Sequence, residues 1–98
     1  MKKTFSLSHP KLATDRLVDS IKHEVKKYIK RERNKSLPST ADYWDFDCKY
    51  GENEQAAKVV HMSEINKCID SAVKAELASF YLEILVKEAV RGDGDEGQ

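Results

Sequence analysis

Residues 41–50 alternate between apolar and polar side chains, and this run constrains the fold more than any other part of the chain. The apolar positions are Trp44, Phe46, Cys48 and Tyr50, and the intervening positions are Tyr43, Asp45, Asp47 and Lys49. A period of two residues is typical of a β-strand with one buried face. The pattern therefore predicts a strand whose first face packs on a core and whose second face meets solvent.

Three other segments show shorter versions of the same pattern. Residues 3–8 place Phe5 and Leu7 on one face, and His9-Pro10 ends the run because proline disfavours continued pairing. Residues 51–55 are typical of a turn, after which residues 58–62 predict a short returning strand of a hairpin. Residues 80–87 alternate again, so the sequence predicts four strands.

Two segments carry apolar residues at helical spacing. The first begins at Thr14, a suitable N-cap, and we expect its packing to stop near Arg31 because Glu32 would fall in the middle of the apolar stripe. The second begins at Ser63 and carries an apolar stripe from Ile65 to Leu77. Both stripes predict amphipathic helices packed on one core.

The order strand, helix, strand, strand, helix, strand predicts an α+β fold, a ferredoxin-like βαββαβ sandwich. In that fold two helices cover one face of an antiparallel sheet, and the first and third strands are central. Residues 1–90 are expected to form this single domain, and residues 91–98 a disordered acidic, glycine-rich tail. If residues 58–62 did not pair, the sheet would have three strands and another topology.

Three segments of the sequence resemble those of a family of short, uncharacterised bacterial proteins. They are residues 17–28 (LVDSIKHEVKKY), residues 44–51 (WDFDCKYG) and residues 79–85 (SFYLEIL). The likeness extends to about Lys87. The family has no assigned activity, so the resemblance implies a free-standing bacterial domain and supplies no catalytic or binding residues.

The charges of the chain are separated along its length. Residues 1–35 contain eleven Lys and Arg but four Asp and Glu, whereas residues 36–98 contain six and thirteen. The basic residues of the first helix are Lys22, Lys26, Lys27, Lys30, Arg31 and Arg33. They predict a basic helix face that binds an anionic partner, either nucleic acid or an acidic protein. The alternative is a solvated face, since helix C-termini attract Lys and Arg through the helix dipole alone.

The polar face of the sheet offers a second candidate site. A hairpin register that pairs Cys48 with Val60 would place His61 opposite Asp47, with Asp45 nearby on the same face. Two carboxylates and an imidazole predict a divalent-metal site of a sensor or metal-dependent enzyme. The alternative is an ordinary cross-strand charge pair. RNA binding through this face is disfavoured, because its carboxylates repel phosphate and Tyr43 and Tyr81 are expected on edge strands.

The remaining patterns exclude more than they suggest. The sequence has no glycine-rich phosphate loop and no nucleophile elbow, so we expect no cofactor and do not expect an enzyme. Cys48 and Cys68 are predicted to be free, buried thiols of a cytoplasmic protein. No segment approaches the roughly 20 apolar residues of a membrane span, so no membrane partner is expected. The strand over residues 43–49 is expected to be open on its outer side, which allows a weak homodimer through that edge.

Overall fold

The computed structural model describes residues 1–90, which form a four-stranded antiparallel sheet with two helices on one face. The elements in chain order are β1 (Lys2–Ser6), α1 (Thr14–Arg33), β2 (Tyr43–Gly51), β3 (Lys58–Val60), a 3₁₀ turn (Met62–Glu64), α2 (Ile65–Lys74) and β4 (Ser79–Ala89). The predicted acidic tail over residues 91–98 lies outside the described residues. Within residues 1–90, no helix has the length and apolar character to span a membrane.

The strand order is the main departure from the sequence prediction. The α+β class and the antiparallel sheet are confirmed, but the order is β1-β4-β2-β3, so β2 and β4 are central. The ferredoxin-like order would have made the first and third strands central. β4 has eleven residues, whereas β3 has three. A central strand must pair along both edges and bury the most side-chain surface, and β4 meets that requirement where β3 does not.

The core lies between the helices and the inward face of the sheet. The strands contribute Phe5, Phe46, Cys48, Phe80, Leu82 and Ile84, and the helices contribute Ile21, Val25, Ile65, Ile69 and Ala72. Phe80, Leu82 and Ile84 on β4 have no exposed surface. The alternation predicted for residues 80–87 is therefore confirmed, and the inward half of β4 is the centre of the core.

The hairpin between β2 and β3 has the register on which the candidate metal site depended. Cys48 pairs with Val60, and the pairing continues to Tyr50 opposite Lys58. Residues 58–60 do pair, so the sheet keeps its fourth strand. The chain leaves the sheet at His61, one residue after the last pair.

Gly51 closes this hairpin at a point where the chain approaches itself closely. A Cβ atom placed on Gly51 would lie 2.6 Å from the Cα atom of Ala57. The obstructing atom belongs to the backbone, so a side-chain rotation cannot relieve the contact. Gly51→Ala is therefore expected to cost about 1–3 kcal/mol of unfolding free energy, the range for overpacking. Urea denaturation followed by circular dichroism measures it, and a loss no greater than that of Ala56→Ser would contradict the close approach.

The end of α1 differs from the expectation in one respect. The helix continues to Arg33, and Glu32 is buried with 5 % of its surface exposed. Packing therefore does not stop at Arg31. The Glu32 carboxylate accepts a hydrogen bond from Lys35 Nζ at 2.8 Å, and this charge partner makes burial of the carboxylate tolerable.

The start of the second helical segment also differs. The cap is His61 rather than Ser63: its imidazole accepts from the Ser63 backbone N–H at 3.1 Å. The Glu64 carboxylate in turn accepts from the His61 backbone N–H at 3.3 Å. This reciprocal capping satisfies free N–H groups at the start of the turn and holds it in place before α2.

Trp44 joins β2 to the segment that follows α1. Its side chain is half-buried, and its indole Nε1 donates a hydrogen bond to the Lys35 carbonyl at 2.9 Å. The same residue pairs with Glu88 on β4. Trp44 therefore fixes the position of the α1 C-terminus over the first half of β2.

Candidate functional site

A row of four cationic residues runs along one side of α1. Lys22, Lys26, Lys30 and Arg33 are separated by four, four and three residues. At 3.6 residues per turn these spacings bring the side chains to the same side of the helix, with neighbours about 6 Å apart along the axis. The four residues therefore form a continuous cationic edge that runs from the middle of α1 to its C-terminus.

This edge is one wall of an open groove with a volume of about 780 Å³, the basic groove. The opposite side is formed by Met62 and Ser63 of the 3₁₀ turn and by Asn66 in the first turn of α2. Ile29 adds a half-buried apolar side chain to the lining, whereas the lining residues Val25 and Ile65 belong to the core and are almost fully buried. The groove thus combines one cationic wall with apolar surface and an opposite wall, named the polar wall, in which Ser63 and Asn66 are polar and Met62 is apolar.

The four cations of the groove differ in how far they are already engaged. Lys22 Nζ lies 2.7 Å from the Asp70 carboxylate and so ties α1 to α2. The Arg33 guanidinium lies 5.7 Å from the centroid of the Phe46 ring, with Nη2 3.8 Å from the sulfur of Met62. Lys26 and Lys30 are exposed, and within residues 1–90 no carboxylate lies within 4.0 Å of their ammonium groups. They are the cations that a ligand meets first.

The other two residues predicted for the basic face lie outside the groove. Lys27 is exposed and is not among the lining residues. Arg31 is engaged locally, with its guanidinium 5.6 Å from the Tyr28 ring centroid and its Nε 3.8 Å from the Glu32 carboxylate. The structure therefore divides the six predicted residues into four that line one groove and two that do not.

The polar wall of the groove was not predicted from the sequence. Met62, Ser63 and Asn66 carry no motif, and they reach the groove because α2 packs against α1. The capping by His61 fixes the backbone of Ser63 in that position. No local pattern signals such a wall, since it depends on which helix lies beside α1.

The residues proposed for a metal site are each engaged in other contacts. The Asp47 carboxylate accepts from Lys87 Nζ at 2.9 Å, and this bond raises the pKa of Lys87. Asp45 Oδ1 accepts from the Phe46 backbone N–H, and His61 Nδ1 contacts Ser63. Among residues 1–90, no group of three or more His, Cys, Asp or Glu is placed to hold a metal ion. The Asp47–Lys87 contact has the geometry of a cross-strand charge pair.

Tyr81 lies on the central strand β4 and is paired on both sides, which corrects the expectation that it lies on an edge strand, whereas Tyr43 lies on a stretch of β2 that β3 does not cover. Tyr81 is nevertheless buried, and its hydroxyl donates to the Glu83 carboxylate at 2.8 Å. This hydrogen bond, with burial and the nearby negative charge, raises the pKa of Tyr81 to about 12. The Tyr81 ring therefore offers no exposed surface on which a base could stack.

The two thiols lack the properties of nucleophiles. Cys48 and Cys68 are both free, as expected from their spacing. Burial, with the charges of Asp47 and Asp45 nearby, raises the pKa of the Cys48 thiol to about 11. Burial also raises the pKa of Cys68, which is only half-buried. Both side chains are accordingly protonated at neutral pH.

Comparisons with known proteins place the chain in a family without adding a function. A search of the curated proteins found no match, and a search of the solved structures found none either. A family model of unknown function matches residues 1–94, nearly the whole sequence. The chain therefore belongs to the family of unknown function DUF6172.

Proposed function

We propose that this protein is a binding module that holds an acidic segment of a partner protein in the basic groove of α1. The observation that carries the proposal is the combination of exposed Lys26 and Lys30 with the half-buried apolar side chains of Ile29 and Met62 in the same groove. Carboxylates of a partner would meet the lysines, and its apolar side chains would occupy the groove between α1 and the 3₁₀ turn.

The apolar lining favours a protein segment over nucleic acid. Exposed ion pairs contribute only about 0–1 kcal/mol each, so charge alone gives a weak complex. Apolar side chains of a protein partner would gain about 25 cal/mol per Å² of apolar surface removed from water. The phosphate groups of nucleic acid have no apolar surface and cannot make this contribution. Within residues 1–90 no Phe, Tyr or Trp lines the groove, so stacking of single-stranded bases would be limited to His23 and the Arg33 guanidinium. The charges would instead orient the partner and speed its approach.

A direct test uses labelled probes of equal length and charge. The first is a twelve-residue peptide of glutamate with leucine at every third or fourth position, and the second has serine in place of each leucine. Mixed-sequence single- and double-stranded oligonucleotides complete the set. Fluorescence anisotropy at about 50 and 200 mM salt measures each dissociation constant, because electrostatic binding weakens with salt.

The paired variants are Lys26→Glu with Lys30→Glu in the groove, and Lys11→Glu with Lys27→Glu outside it. Both pairs change the net charge equally, and all four residues are exposed. We expect the groove pair to weaken binding of the leucine peptide at least about tenfold, and the control pair less than about threefold. The serine peptide should bind more weakly than the leucine peptide.

Three outcomes would overturn the proposal. Equal losses for both variant pairs would show that only overall charge matters. Tighter binding of an oligonucleotide, lost in the groove pair, would assign the groove to nucleic acid. Failure of every probe to bind below about 0.1 mM at low salt, where non-specific binders do so readily, would leave α1 with a solubilising face. Circular dichroism of each variant confirms that folding is intact.

A further inference from the structure

The outer edge of β2 is only partly covered. β2 pairs with β4 from Tyr43 to Gly51, but with β3 only from Cys48 to Tyr50. Within residues 1–90, the stretch 43–47 has no strand partner on the β3 side. The sheet therefore ends there in a short open edge, next to the point where the chain turns away at His61.

The direction of the backbone groups at this edge follows from one hydrogen-bonded pair. The main-chain nitrogen of Met1 lies 2.6 Å from the Ile84 carbonyl, and the Ile84 N–H donates to Met1 at 2.7 Å. The backbone N–H and C=O groups of the even-numbered β4 residues therefore point towards β1, and those of the odd-numbered residues point towards β2. The register of β2 on β4 then turns the backbone groups of Trp44 and Phe46 towards the open edge.

One backbone N–H group at the open edge is hydrogen-bonded to a side chain instead of to a neighbouring strand. The Phe46 N–H donates to Oδ1 of its neighbour Asp45 at 2.8 Å, where a partner strand would supply a carbonyl. Beside it lies a cleft of about 360 Å³ lined by Asp45, Asp47, Val60, His61 and Glu64, among others. There is therefore space beside the edge, and the Phe46 N–H is bonded to the Asp45 side chain, which can rotate away.

We propose that the open edge of β2 accepts an extended, basic segment of a partner protein as an added strand. Backbone groups of the segment would pair with Trp44 and Phe46, in the mode by which exposed sheet edges bind peptides. Basic side chains on the open face of that segment would lie opposite Asp45 and Asp47. Met62 lines both this cleft and the basic groove, but Asp45, Phe46 and Asp47 do not line the groove, so the inference does not rest on the proposed function.

The negative charges of Asp45 and Asp47 favour a basic added strand. On the other side of β2, Lys87 pairs with Asp45 in register and bonds to Asp47 at 2.9 Å. A basic residue on an added strand would meet the same two carboxylates from the open side. Two copies of this chain, joined symmetrically over residues 43–47, would instead place Asp45 opposite Asp45. Like charges directly opposite are destabilising, so the weak edge homodimer that the sequence allows is disfavoured in this register.

The test separates strand pairing from simple charge attraction. The probe is a labelled, end-capped hexapeptide of alternating lysine and valine. Two further versions carry N-methyl groups either on every lysine amide or on every valine amide, which blocks pairing along one edge or the other at unchanged charge. Anisotropy measures the affinities, and amide NMR spectra report the Phe46 N–H directly.

We expect the unmodified peptide to bind, one methylated version to match it, and the other to bind at least about tenfold more weakly. Asp47→Lys should weaken binding about tenfold, whereas Asp19→Lys, an exposed change of equal charge on α1, should have little effect. The Phe46 amide signal should shift on binding.

Equal affinities for both methylated peptides would show charge attraction only and would overturn the proposal. So would absence of binding at millimolar peptide. Concentration-dependent association of the protein, blocked by Asp47→Lys, would assign the edge to a second copy instead. The groove variants Lys26→Glu with Lys30→Glu should leave peptide binding at this edge unchanged, which keeps this outcome distinct from that of the groove.

Discussion

Phe80→Ala is expected to lower the unfolding free energy by about 3–5 kcal/mol, the range for truncating a buried aromatic residue. Phe80 is fully buried on the central strand β4, and its ring centroid lies 5.5 Å from that of Phe5 and 5.7 Å from that of Tyr50. Truncation removes both aromatic contacts and leaves a cavity where the helices meet the sheet. Urea denaturation followed by circular dichroism measures the shift in midpoint at unchanged slope.

Two matched variants make this result interpretable. Phe80→Leu keeps much of the volume and should cost less than about 1.5 kcal/mol, so it reports on packing even if the alanine variant fails to fold. Val59→Ala on β3 changes a side chain that is 78 % exposed and should cost less than about 1 kcal/mol. Similar losses for Phe80→Ala and Val59→Ala would contradict the central position of β4.

Trp44→Ala is expected to have the second largest effect, about 2–4 kcal/mol, because the side chain is only half-buried. The loss combines packing over β2 with the hydrogen bond from Nε1 to the Lys35 carbonyl. Trp44→Phe retains a ring but removes the donor, so it should cost about 1–2 kcal/mol. The difference between the two variants measures the packing contribution.

The Trp44 variants also report on the end of α1. Loss of the anchor at Lys35 should loosen the helix terminus that carries Lys30 and Arg33, and amide hydrogen exchange of residues 30–35 should accelerate in both variants. Unchanged exchange with a large loss of stability would mean that Trp44 supports the sheet alone. A stability loss below about 1 kcal/mol for Trp44→Ala would contradict its role as an anchor.

Local sequence patterns predicted the secondary elements well. The alternation in residues 41–50 and 80–87 is present in β2 and β4, although Trp44, Tyr50 and Val86 are only half-buried and Tyr81, expected on the outward face, is buried as well. The predicted return of the chain as a short strand after residues 51–55 is confirmed by the pairing of Cys48 with Val60. These features depend on which side of a strand or helix is apolar, and that information is written in the spacing of neighbouring residues.

The cationic edge of α1 was equally accessible from the sequence, because the spacing of Lys22, Lys26 and Lys30 defines one side of a helix. The groove, in contrast, could not be predicted from the sequence. Its polar wall comes from the 3₁₀ turn and α2, and its placement depends on how two helices pack. A helical pattern specifies which face is buried but not which neighbour covers it.

The strand order and the environment of Glu32 were decided by tertiary structure alone. Alternation predicts which face of a strand is buried, but it does not predict which strands pair with each other. Strand order depends on how much pairing and burial each strand can provide, and the long, apolar β4 is central for that reason. Glu32 looked like the end of a packed helix because a carboxylate is costly to bury. It is buried because α1 packs as far as Arg33, and the ion pair with Lys35 Nζ at 2.8 Å makes that burial tolerable. The sequence by itself thus determined the elements and their faces, and long-range packing determined their order, the groove and the open edge of β2.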